Sequence, residues 1–199
     1  MSRSFSMLAA MLLALGGFSA EARDFEKLLK GDYAAAGEST CLVSFTGFNA
    51  NLSPNAPGPF PQIVSLSIQG VRTFNGDGTG KTVARVVSIS HPFALPTTPP
   101  FFNRGGASSS DIESDFTYAV SPDLKVTITT PLVTGTFLTG GRAGQTLIIT
   151  NLPVFSGFIS ENLRSLTLAH ETPGVEDHSF SNGDFNQRIC HRSRILHER

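Results

Sequence analysis

The sequence predicts an all-β protein folded as a single, mostly antiparallel β-barrel of about eight or nine strands behind a short N-terminal helix. Three observations predict it. Apolar and polar residues alternate with period two over long stretches, turns rich in Gly, Pro and Asn separate those stretches at short spacing, and only one mature segment has helical character. A β-sandwich is the alternative that the same pattern allows.

Residues 1–22 read as a secretory signal peptide: Arg3 precedes an apolar run from Met7 to Leu15, and Ala20 and Ala22 frame a small-residue cleavage site before Arg23. The run is too short to span a bilayer, and no later segment approaches about 20 continuous apolar residues. The expected location is therefore periplasmic or secreted, with no stable membrane span. Residues 23–199 then make one β-barrel domain. An outer-membrane barrel fits less well, because residues 115–120 lack a lipid-facing band and the sequence ends in His197-Glu198-Arg199 rather than an aromatic residue.

Residues 24–30 form the helix, ended by Gly31. Residues 33–36 and 41–45 are expected as two opening strands. Residues 62–74 alternate Val64, Leu66 and Ile68 against Ser65, Ser67 and Gln69, and a glycine-rich turn at 75–80 leads into a second strand at 81–91. Another hairpin joins 115–120 to 125–129 through Ser121-Pro122-Asp123-Leu124, followed by strands at 132–138, 145–150, 154–160, 165–170 and 187–196. Two long connections interrupt the meander, at 51–61 and 92–110. The second holds Phe93, Phe101 and Phe102 among Pro, Gly and Ser, an aromatic content unusual for a linker. These three rings are expected to form a ligand-binding lid over the barrel mouth.

Two cysteines in an oxidising compartment predict one disulfide, Cys41–Cys190. A formal charge of −1 lacks the basic excess of a nucleic-acid binder, so no nucleic-acid partner is expected. Sixteen Phe with two Tyr and no Trp point to a well-filled interior. Gly80-Lys81-Thr82 matches the end of a phosphate-binding loop, but Asn75 stands at the first glycine and a strand follows, leaving no helix N-terminus for phosphate. The same turn resembles the start of a calcium loop, with Val86 where the bidentate Glu belongs. A hairpin explains its glycines.

His170-Glu171 and Glu176-Asp177-His178 flank Pro173-Gly174 and read as a solvated acidic loop rather than a metal site, paired across the surface with the basic strand Arg188, His191, Arg192, Arg194. No G-x-S-x-G elbow occurs, and no catalytic residue or cofactor is assigned.

The short helical lead, Gly31-Asp32-Tyr33 in the first strand, the meander of hairpins and a late arginine together resemble the calycin barrels, lipocalins included. In lipocalins the motif is Gly-x-Trp, and the late arginine packs over the tryptophan to close one barrel end. The resemblance implies that Tyr33 and Arg192 or Arg194 take these parts. The barrel is also similar to that of plant allene oxide cyclases, and the whole chain resembles small exported bacterial proteins of unassigned function. The expected function is binding of a small apolar ligand at the barrel mouth. The alternatives are a structural or protein-interaction envelope protein with a filled barrel, whose partner would be another envelope protein, and a barrel-mouth cyclase or isomerase.

Overall fold

The computed structural model describes residues 25–56, 60–95, 101–103 and 105–199, so the signal peptide expected at 1–22 lies outside it. A 3₁₀ turn at Phe25–Leu28 leads into β1 (Lys30–Ser44), β2 (Gln62–Asn75), β3 (Thr79–Ser90), β4 (Phe93–Leu95), β5 (Phe101–Asn103) and β6 (Gly106–Val120). There follow β7 (Lys125–Thr129), β8 (Val133–Phe137), β9 (Thr146–Thr150), β10 (Phe155–Ile159), β11 (Ser165–His170), β12 (Val175–Phe180) and β13 (Phe185–Glu198). β4 and β5 pair with each other as a separate hairpin, while the other eleven strands form one antiparallel sheet closed by β1 against β13.

Eleven strands make an eight-membered ring because three of its eight positions are each filled by two strands. β7 and β8, β9 and β10, and β11 and β12 each occupy one position in the meander. The lower ring runs β1-β2-β3-β6-β7-β10-β11-β13 and the upper ring β1-β2-β3-β6-β8-β9-β12-β13. Each break carries a proline: Pro131, Pro153 and Pro173. Proline has no N–H to give to a ladder, so three adjacent strands stop and restart at similar height. Asn151 turns the second break with a φ of 57°, a conformation that asparagine tolerates.

The breaks leave a gap beside β13, whose pairing with β12 ends at Ile189 and with β11 resumes at Ser193. Facing that gap are Cys190, His191 and Arg192. The Cys190 carbonyl finds a donor there in His170 Nδ1, at 3.3 Å.

The lower half of the barrel is filled. Phe74 lies edge-on to Tyr33, Phe116 and Tyr118 at centroid separations of 5.3, 5.2 and 5.0 Å. Each such pair adds about 0.5–1.5 kcal/mol beyond area burial. The Tyr118 hydroxyl accepts from the Gly76 amide at 3.1 Å and donates to the Leu29 carbonyl at 2.8 Å. It thereby ties the 3₁₀ turn to the β2–β3 hairpin and closes this end. Val126, Ile128, Leu166 and Leu196 complete the packing.

Three expectations change in detail. β1 is one strand rather than two, and Gly37 sits within it because an added Cβ would meet Arg194 Cδ at 2.6 Å. The helix is a single 3₁₀ turn, since β1 has already begun at Lys30. The acidic segment at 176–178 is the inward-facing strand β12 rather than a solvated loop.

Candidate functional site

Above the filled half lies a chamber of about 230 Å³ enclosed by the upper ring. Strand alternation sends residues of one parity inward, and the two walls differ. β8, β9 and β12 supply the apolar cluster Val133, Phe137, Leu147, Ile149 and Phe180. β3 and β6 supply Ser88, Ser90, Ser108, Ser110 and Ser114. Ser88 and Ser108 bond to each other at 2.7 Å.

The charge inside is strongly one-sided. Arg188, Arg192 and Arg194 line the chamber from β13, and Arg72 joins them from β2. Among the described residues no carboxylate lines it, and the only buried one is Glu176, 0% exposed, on the same inward side of β12 as His178 and Phe180. Glu176 is held in a two-point pair by Arg192, Nη1 meeting Oε1 and Nη2 lying 2.6 Å from Oε2. Of the five guanidinium groups that line the chamber, Arg142 pairs with Asp184 and Arg192 with Glu176, which leaves Arg72, Arg188 and Arg194 without a carboxylate partner.

Arg72 is the least satisfied of these. It is 8% exposed, donates from Nε to Thr82 Oγ1 at 3.1 Å, and lies over Phe116 at 4.9 Å from the ring centre. Its Nη1 is buried with no hydrogen-bond partner. Arg194 donates to the carbonyls of Glu38 and Ser193 at 2.8 and 2.7 Å and to Ser39 Oγ at 3.2 Å. Both guanidiniums reach Phe155, at 6.0 and 5.8 Å from its centre. Burial, then repulsion from Arg194, pushes Arg72 down to about 10. Burial brings Arg194 to about 10, and burial followed by Arg194 brings Arg192 to about 9. All remain charged at neutral pH, as guanidinium groups do in proteins.

His178, 2% exposed, lies 3.3 Å from Glu176 Oε2 through Nε2, and its Nδ1 has no partner. Burial, then the Arg188 charge, holds it well below the usual imidazole range. The nearby carboxylate does not reverse this, because Arg192 already neutralises it. Burial, then Arg192, pushes His170 down to about 4. Both rings are neutral when folded, whereas an unfolded histidine protonates near pH 6.5. Their contribution is therefore complete above pH 6.5 and lost as the pH falls toward about 4. Urea unfolding between pH 7 and 4.5 is expected to show stability falling by up to about 2.7 kcal/mol per pH unit, two protons' worth. A flat profile would mean that both rings protonate freely in the folded barrel.

Cys41 and Cys190 form the expected disulfide, directly opposite in the β1–β13 register with Cα atoms 4.1 Å apart. Tyr33 lies in the aromatic floor, while Arg194 and Arg192 stand opposite Gly37 and Ser39, higher on the same face. The backbones of Phe93, Phe101 and Phe102 belong to the β4–β5 hairpin, and their side chains lie outside the described part of the structure. That hairpin leaves β3 and re-enters β6 beside Ser90 and Ser108, at the chamber's upper end. Arg142 sits at this mouth, 2.8 Å from Asp184 and over the Phe180 ring at 4.0 Å.

The sequence did carry a signal for the interior arginines. If Cys190 points inward to meet Cys41, parity along the strand turns Arg188, Arg192 and Arg194 inward with it. Arg72 carries the same signal, since it shares the parity of Val64, Leu66 and Ile68 along β2. No protein-family model matches this chain, and no curated protein is significantly similar to it in sequence.

Proposed function

We propose that the protein is an exported binding module that takes one small organic ligand into the upper half of its barrel. The observation carrying this reading is the chamber of about 230 Å³ above a filled lower half, with an apolar wall facing a hydroxyl-lined one. Ligand sites commonly combine apolar walls with a few placed polar groups in the mouths of β-barrels. The volume corresponds to about seven or eight waters at ~30 Å³ each, below the ~300–1,000 Å³ of drug-sized sites. The ligand is accordingly small, with roughly ten non-hydrogen atoms.

Export is supported by the Cys41–Cys190 disulfide, which is compatible with an oxidising compartment. Among the described residues no helix is long and apolar enough to cross a membrane. The outward faces of β3 and β6 carry the ion pairs Lys81–Glu113 and Arg85–Asp111, charges that a lipid-facing band would exclude. The β4–β5 hairpin is the proposed lid, springing from the chamber's rim.

Uptake of a small environment-sensitive fluorophore tests the reading. Ser110→Leu adds apolar bulk inside the chamber and is expected to weaken uptake at least about tenfold, equivalent to about 1.4 kcal/mol. Phe101→Ser with Phe102→Ser is expected to leave stability near wild type while also weakening uptake. Uptake unaffected by Ser110→Leu would place the probe elsewhere and favour a partner-binding barrel.

A further inference from the structure

The chamber's charge says more about its occupant than its volume does. An apolar ligand would leave the partly buried Arg188 and Arg194 and the buried Arg72 without a carboxylate, and a buried cation without a partner is a costly arrangement. Arg72 makes this concrete. Its Nη1 is a strong donor, buried and unpartnered, on a side chain that lines the chamber. Arg194 shares the Phe155 ring with it, so two cations that repel each other are held at one place on the chamber floor. Thr82 and Ser114 line the same region, adding hydroxyl groups around the two guanidiniums.

We infer that the ligand is an amphipathic organic anion whose carboxylate-like head group seats on Arg72 and Arg194 while its short apolar body extends up along Val64, Leu66, Val133 and Ile149. The inference rests on the reading that the chamber binds a small ligand, and adds the head group's charge and position. A planar guanidinium donates two parallel hydrogen bonds to a carboxylate, which a lone hydroxyl cannot match. The anion supplies the acceptor that Nη1 lacks and relieves the repulsion between the two arginines. The body then covers the apolar wall, which neither a bare inorganic ion nor a neutral hydrocarbon would use in full.

Calorimetric titration of the full mature protein with octanoate and with 1-octanol separates the two claims. These probes share the chain and differ in the head group. Octanoate is expected to bind at least tenfold more tightly than octanol. Arg72→Met is expected to abolish that difference while leaving the melting temperature of the ligand-free protein unchanged or raised, since it removes an uncompensated buried charge. A merely structural arginine would instead lower the melting temperature on removal. Arg194→Gln reads the same site should Arg72→Met fail to fold, and Arg142→Gln at the mouth is expected to change octanoate affinity less than threefold. Equal binding of the two probes to wild type would overturn the anionic head group and leave the ligand-binding reading standing. Binding of neither would overturn both, and an octanoate preference that survives loss of Arg72 and of Arg194 would overturn the assigned seat.

Discussion

Replacing Glu176 with alanine is expected to destabilise the barrel by about 3–5 kcal/mol, because it strands the Arg192 guanidinium inside without its counter-ion. Glu176 is fully buried and bonds Arg192 through both oxygens, so neither solvent nor another carboxylate can take its place. The loss is large against the roughly 5–15 kcal/mol that holds an ordinary domain folded. It should also be local in origin: the pair stands beside the gap where β11 and β12 break, and there β13 is paired on one side only, with β1. Removing both partners, with Glu176→Leu and Arg192→Met, is expected to recover most of the stability, since a buried ion pair is often replaceable by packed apolar groups. Urea unfolding of the single and double variants measures this. A single-variant loss below about 1 kcal/mol would show that the guanidinium is solvated after all.

Loss of the disulfide has the second large effect. Cys41→Ser is expected to cost about 2–5 kcal/mol. The bridge spans 149 residues and joins the first barrel strand to the last, so it holds closed the seam on which the whole ring depends. The chain-entropy argument gives roughly 4–5 kcal/mol for so long a loop. Both sulfurs are inside the barrel, so Cys41→Ala with Cys190→Ala separates the bridge from the cost of burying a hydroxyl. Unfolding of the wild type with and without reductant gives the same quantity without substitution. A shift below about 1 kcal/mol would mean that the β1–β13 ladder closes the barrel unaided.

Much of the fold was legible because its determinants are local. Alternation of Val64, Leu66 and Ile68 with serines, the glycines of the 75–80 turn, and Ser121-Pro122-Asp123 each act over a few residues, and each sits where the sequence places it. The break in the wall was legible only as strand ends. Pro131, Pro153 and Pro173 mark three separate stops, but nothing in the sequence shows that the ring aligns them at one height. The segment at 176–178 was misread for a related reason. Glu and His at alternate positions look solvated until the arginine that compensates them is known, and Arg192 approaches from the neighbouring strand. Arg72 is the extreme case, one cation in a strand otherwise read as core, whose role depends on rings and arginines brought in from other strands by closure of the barrel.

Methyl-resolved NMR during titration with octanoate locates the ligand directly. Occupation of the chamber predicts saturable shifts at Val64, Leu66, Val133 and Ile149, with Val126, Ile128 and Leu166 in the filled half and Val83 and Ile195 on the exterior unmoved. Saturable shifts confined to the exterior methyls, or no saturable shift at any chamber methyl, would contradict a ligand-binding interior.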